Sequence, residues 1–194
     1  MTQAHPAPRP DLLTPIHKGL RRALFDTALA LARTDFSVAA DVTAAQEAVA
    51  TCFEYLREHA EHEDRHTVPL VARFDPELAA TIEAAHPHLE RLAISIDSLW
   101  PRLAPLDGPA RVAVGSELLR RFQAFVAEQL LHMDLEERRV LALLWQHLSD
   151  AELGALGARV TATIPPARMQ KWGALLGGAL SAPELAAMQA RAAA

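Results

Sequence analysis

Two five-residue stretches carry most of the chemistry in this sequence: His59-Ala-Glu-His-Glu63 and His132-Met-Asp-Leu-Glu136. Each places a histidine and a carboxylate four residues apart, which on a helix sets them one turn apart on one face. Imidazole nitrogens and carboxylate oxygens together suit iron, manganese or zinc, and a carboxylate can bridge two ions. Nine histidines is a rich supply for 194 residues. His17, upstream of both stretches, and His86 and His88, between them, are available to complete a ligand set.

These residues need helices to position them, and the composition supplies helices. Ala and Leu are frequent, while aromatic and β-branched residues are sparse, which disfavours strands. The pattern predicts an all-α fold, an up-down-up-down four-helix bundle with additional short C-terminal helices. The first segment starts with Thr14 as N-cap and Pro15 behind it, and carries the apolar stripe Leu13, Ile16, Leu20, Leu24, Leu31. The second opens on a capping box at Thr43-Ala-Ala-Gln46 and ends before Pro69. The third begins after Asp75-Pro76, is expected to kink or break at Pro87, and stops at Trp100-Pro101. The fourth runs from the Asp107-Gly108-Pro109 turn to about His147. The connections are short, so neighbouring segments should run antiparallel. The division expected is a flexible lead-in over 1–10, the bundle over 11–148 and a helical cap over 149–194. Ser149–Glu152 and Ser181–Glu184 read as capping boxes in that cap.

Face and depth sharpen the ligand set. On the fourth segment the stripe of Leu118, Leu119, Phe122, Phe125, Val126, Met133, Val140, Leu143 and Leu144 has Glu136 near its centre and His132 at its edge. Glu63 likewise falls beside Val49, Cys52 and Leu56. A carboxylate placed among apolar side chains must be protonated, paired or metal-bound. In an up-down-up-down bundle His17, His59, Glu63, His86, His132 and Glu136 also fall in one half of the molecule. His62 and Glu128 project away from their stripes. Periodicity does not choose between His86 and His88, which flank the third stripe.

The ordered pattern His17, His59-x3-Glu63, His86, His132-x3-Glu136 resembles the hemerythrin-like (HHE cation-binding) domain family over residues 12–148. The resemblance implies a cofactor of two iron ions, a non-haem di-iron centre often bridged by oxo or hydroxo, with manganese or zinc as alternatives. It implies His17, His59, His86 and His132 as terminal ligands and Glu63 and Glu136 as bridges. The family's His-x-x-Leu spacing selects His86, followed by Leu89, over His88. Oxygen-carrying hemerythrins have a histidine one turn after the third-helix ligand, whereas this chain has Glu90, a further candidate ligand. Their fourth helix also has a longer His-to-Asp spacing. Both departures resemble bacterial and iron-sensing relatives, and they shift the expectation from oxygen transport to sensing or redox chemistry.

The expected function is therefore a metal protein that senses or handles dioxygen, peroxide, nitric oxide or iron. An oxidase- or peroxidase-type enzyme is the alternative, and a metal-free helical interaction module is the third. No residue is singled out as catalytic. Tyr55, one turn before His59, is a candidate to hydrogen-bond a ligand or bound species, though a structural partner is the commoner role of a buried tyrosine. Asp134, Glu137, Arg138 and Arg139 read as an exposed charged face, His66 as solvent-facing and His147 as a core histidine. The net charge of −5 offers no basic surface for nucleic acid. No apolar run is long enough for a membrane, and the first residues lack a signal peptide's apolar core. One cysteine, Cys52, suits a reducing compartment, so a cytoplasmic protein is expected. A protein partner would dock through the C-terminal helices.

Overall fold

The first helix begins at Thr14 with Leu13, not Thr14, as its N-cap, and the side chain that serves this start is that of Asp11. Its Oδ1 accepts the backbone N–H groups of Leu13 (3.1 Å) and Thr14 (2.9 Å), satisfying donors that a helix start leaves free. In the computed structural model, which describes residues 9–192, helix α1 then spans Thr14–Arg33. α2 comprises Ala39–His62, a π-helical turn at Glu63–Thr67 and a last α-turn at Val68–Val71. α3 spans Pro76–Asp97 and is followed by a single turn at Trp100–Leu103. α4 repeats the plan of α2, with Gly108–Leu135, a π-helical turn at Glu136–Val140, and Leu141–His147. α5 (Asp150–Ala162), α6 (Pro166–Gly177) and α7 (Ala182–Ala192) complete an all-α chain. None of the described helices is long and apolar enough to cross a membrane.

Several boundaries differ from those the sequence suggested. Thr43 lies inside α2, where its hydroxyl donates to the Ala39 carbonyl (3.1 Å); a threonine that bonds back one turn fits a helix interior as well as a cap. α2 also continues past Pro69, which follows the π-helical turn. Proline is not what widens that turn, because α4 carries the same turn at Glu136 with no proline. α3 runs unbroken through Pro87. Its start does follow expectation: Asp75 accepts the Leu78 N–H (2.9 Å), with Pro76 behind it.

The four long helices pack into a helical bundle in which α1 lies along α2 and α4, and α3 along α4. Two apolar clusters fill it. The larger includes Leu20, Leu24, Val49, Phe53, Leu56, Leu118, Phe122, Phe125 and Met133. The smaller includes Leu13, Val68, Val71, Leu78, Ile82, Val140 and Leu144. Phe53 packs against Phe122 and Phe125, with centroids 6.0 and 5.2 Å away. Cys52 is a core residue whose thiol is pushed up to about 12 by burial, against a hydrogen bond with Thr27. At Gly115 a Cβ would run into the buried Phe36 ring. Gly115→Ala should therefore destabilise the fold by about 1–3 kcal/mol through overpacking, read from the midpoint of urea unfolding.

The C-terminal helices lie against α1 and α2. A Cβ at Gly19 would approach a Leu176 methyl to 2.9 Å, so α1 and α6 meet closely two residues beyond His17. Ser149 and Glu152 form both bonds of the expected capping box. Glu184 accepts the Ser181 N–H (2.9 Å) and pairs with Lys18. Of the expected N-terminal lead-in, residues 1–8 lie outside the described residues. Arg9 donates to Asp150 (2.7 Å) and to the carbonyls of Leu148 and Trp145, and the Pro10 carbonyl accepts the Trp145 indole N–H.

Candidate metal centre

The two apolar clusters sandwich a polar layer. His17, His59, Glu63, His86, His132 and Glu136 are all buried. α1 and α2 bring His17 and His59 together, Nε2 to Nε2 at 3.0 Å with the rings edge-on at 87°. α3 and α4 do the same with His86 and His132, at 3.1 Å and 85°. Glu63 Oε2 lies 3.3 Å from His59 Nε2 and 3.5 Å from His86 Nε2. Glu136 spans the pairs with two oxygens: Oε2 is 3.5 Å from His17 Nε2, and Oε1 is 3.2 Å from His132 Nε2. Each glutamate thus touches both histidine pairs.

Electrostatics leave this layer short of a partner. Burial pushes the Glu63 carboxyl up to about 8, with the neighbouring Glu136 opposing. Burial and the Glu63 charge hold Glu136 well above the usual carboxylate range. Burial and the neighbouring imidazoles keep His59 far below its ordinary value and push His132 down to about 3. Burial also lowers His17, with Glu137 opposing. At neutral pH these three imidazoles are uncharged and carry free lone pairs, the form a metal takes. Among the described residues, Oε2 of Glu63 and Oε2 of Glu136 are buried and receive no hydrogen bond, an expensive arrangement unless something else occupies the space between them.

Two groups outside the expected set orient the histidines. His17 Nδ1–H donates to Glu137 Oε1 (2.9 Å), and His86 Nδ1–H donates to Asp64 Oδ1 (2.7 Å). A carboxylate only accepts, so each bond fixes the proton on Nδ1 and turns a bare Nε2 into the layer. Glu137 had read as part of an exposed charged face. Burial raises its carboxyl, but bonds with His17 and Arg21 outweigh that and hold it at about 2. Both orienting carboxylates immediately follow a glutamate of the layer, at the first step of each π-helical turn. Such turns recur at functional sites.

The remaining candidates lie elsewhere. His88 and Glu90 are exposed on α3, on either side of the buried Leu89, and belong to neither donor group below. The Tyr55 hydroxyl donates to the Lys171 carbonyl (3.1 Å), so it serves the α2–α6 contact rather than a ligand histidine. His147 is exposed and stacks on Phe74 with ring centroids 4.2 Å apart, so it is not a core histidine. His66 is partly buried rather than solvent-facing.

Two four-residue groups therefore have donor atoms mutually within 4.8 Å: His17, His59, Glu63, Glu136, and Glu63, His86, His132, Glu136. They share both glutamates. A family model, the hemerythrin HHE cation binding domain, matches residues 10–148. The chain belongs to this family. Among curated proteins none matches it. The hemerythrin HHE match covers all four long helices and every member of both donor groups, and ends at the start of the C-terminal helices. The free lone pairs, the shared carboxylates and the unsatisfied oxygens fit the cation that hemerythrin HHE domains bind.

Proposed function

We propose that residues 11–148 form an up-down-up-down hemerythrin-like bundle that holds two iron ions and senses or handles dioxygen, peroxide, nitric oxide or iron. One observation carries this: two buried His2Glu2 donor groups share both carboxylates, the arrangement a bridged pair of ions requires. A bound iron pair would supply reversible coordination and electron transfer to such small molecules. The chain's own residues do the rest. His17 and His59 would hold one ion, His86 and His132 the other, and Glu63 and Glu136 would span them. Each donor group offers four protein atoms, which leaves room on each ion for a small ligand. Glu137 and Asp64 aim two of the imidazoles, and the apolar clusters on either side restrict water.

Iron-replete, anaerobic purification followed by metal analysis should find about two iron ions per chain. Less than one metal per chain would overturn the two-ion reading. Exposure of the reduced protein to oxygen, followed in the visible spectrum, separates function: a change that reverses under vacuum supports binding. Many turnovers of peroxide or an organic reductant would instead favour a di-iron enzyme.

A further inference from the structure

The two histidine pairs are oriented alike but sit in different charge environments. Glu137 Oε1, which holds His17, also accepts from Arg21 Nη1 at 2.7 Å, so its charge is shared with a guanidinium. Asp64, which holds His86, has no arginine or lysine within ion-pair distance among the described residues; its side chain is 50% exposed, against 22% for Glu137. We propose that this difference makes the two metal positions unequal, with the His86/His132 position binding divalent metal more tightly than the His17/His59 position. The inference rests on the two-ion reading above.

The physical basis is the hydrogen bond behind the ligand. A carboxylate drawing on the Nδ1 proton makes the opposite nitrogen a stronger donor, and such outer partners change metal affinity about 10–100-fold. Asp64 has His86 as its only hydrogen-bonding side-chain partner among the described residues. Glu137 divides one oxygen between His17 and Arg21, and the guanidinium also places a positive charge on the cation's side of the bundle. Water around Asp64 damps its long-range field but leaves the 2.7 Å bond itself intact. Among the described residues His132 Nδ1 is buried with no partner of its own, and Asp64 is the one that supplies outer-carboxylate support at that position.

The test is a titration of the full-length, chelator-stripped chain with Co2+, followed by calorimetry and visible absorption. The wild type should show two steps separated about tenfold or more. Asp64→Asn, at a half-exposed and nearly isosteric position, should weaken the tighter step about 10–100-fold and leave the other in place. Arg21→Gln should tighten the weaker step and draw the two together. Equal steps in the wild type, or Asp64→Asn acting on the weaker step, would overturn the inequality while leaving two bound ions in place. Fewer than two cobalt ions per chain would overturn the two-ion reading and this inference with it. If Arg21→Gln fails to fold, Asp64→Asn alone decides.

Discussion

Glu136→Gln is expected to lower metal content from about two ions to below one per chain while leaving the metal-free fold as stable or more stable. The two effects point in opposite directions because the residue does different work in the two states. With metal, a carboxylate spanning both histidine pairs supplies charge and two oxygens that an amide cannot. Without metal, the same carboxyl is buried beside Glu63, and its folded-state value lies well above the ordinary one. In the unfolded chain it ionises near 4.5; in the fold it must hold its proton or accept a buried charge. The sign follows: the group costs stability above about pH 4.5, increasingly up to the value at which the folded group ionises, and costs nothing below it. Glutamine removes that cost, so its stability advantage should be present at pH 7 and vanish as the pH falls below about 4.5. Glu63→Gln should behave alike, with its advantage growing from about pH 4.5 and levelling off near 8. Metal analysis and urea unfolding of the stripped proteins read both effects. Retention of two metals, or a loss of stability at pH 7, would show Glu136 to be an ordinary structural residue.

The same tension explains why the centre was legible in the sequence. A 3.6-residue stripe is evidence about burial, and a glutamate in the middle of one is a contradiction that chemistry has to resolve. Glu136, among Met133, Val140 and Leu144, stood out for that reason, and Glu63 beside Cys52 and Leu56 did so too. Each histidine four residues earlier then had a defined direction. What periodicity could not supply was anything set by a change in helical pitch or by a partner helix. Glu137 and Asp64 lie one residue past the stripe, where regular α-helical turning takes a side chain away from the core. The π-helical turns that begin at Glu136 and Glu63 turn less per residue, and they keep both carboxylates within reach of histidines on α1 and α3. Tyr55 failed as a neighbour of the ligands for a related reason: its helix also faces α6, and the hydroxyl found a carbonyl there. Thr43-x-x-Gln46 had the letters of a capping box without being one, because the decision lay upstream in the Val38–Ala39 backbone.

Trp172→Ala should destabilise the whole chain by about 3–5 kcal/mol, the range for deleting a buried tryptophan from a core. Trp172 lies in the larger apolar cluster, not on a separate surface. Its ring meets Tyr55 edge-on with centroids 4.8 Å apart, and its indole N–H donates to Glu58 Oε2 at 2.9 Å. Arg168, one turn earlier on α6, also reaches Glu58, at 2.6 Å, and Glu54, at 2.8 Å, so its charge is spent inward on α2. These contacts grip α2 one residue before His59, while Gly19 admits Leu176 to α1 two residues after His17. The C-terminal helices therefore brace the two helices that carry one histidine pair. Two roles for this region make different predictions. If α6 is part of the core, Trp172→Ala lowers the midpoint of a single cooperative unfolding transition seen by both circular dichroism and tryptophan-independent probes. If 149–194 were instead a detachable surface kept for a partner, the same substitution would leave bundle stability within about 0.5 kcal/mol, and the helices would come away in a separate, earlier transition. The buried indole and the shared carboxylates of α2 favour the first outcome.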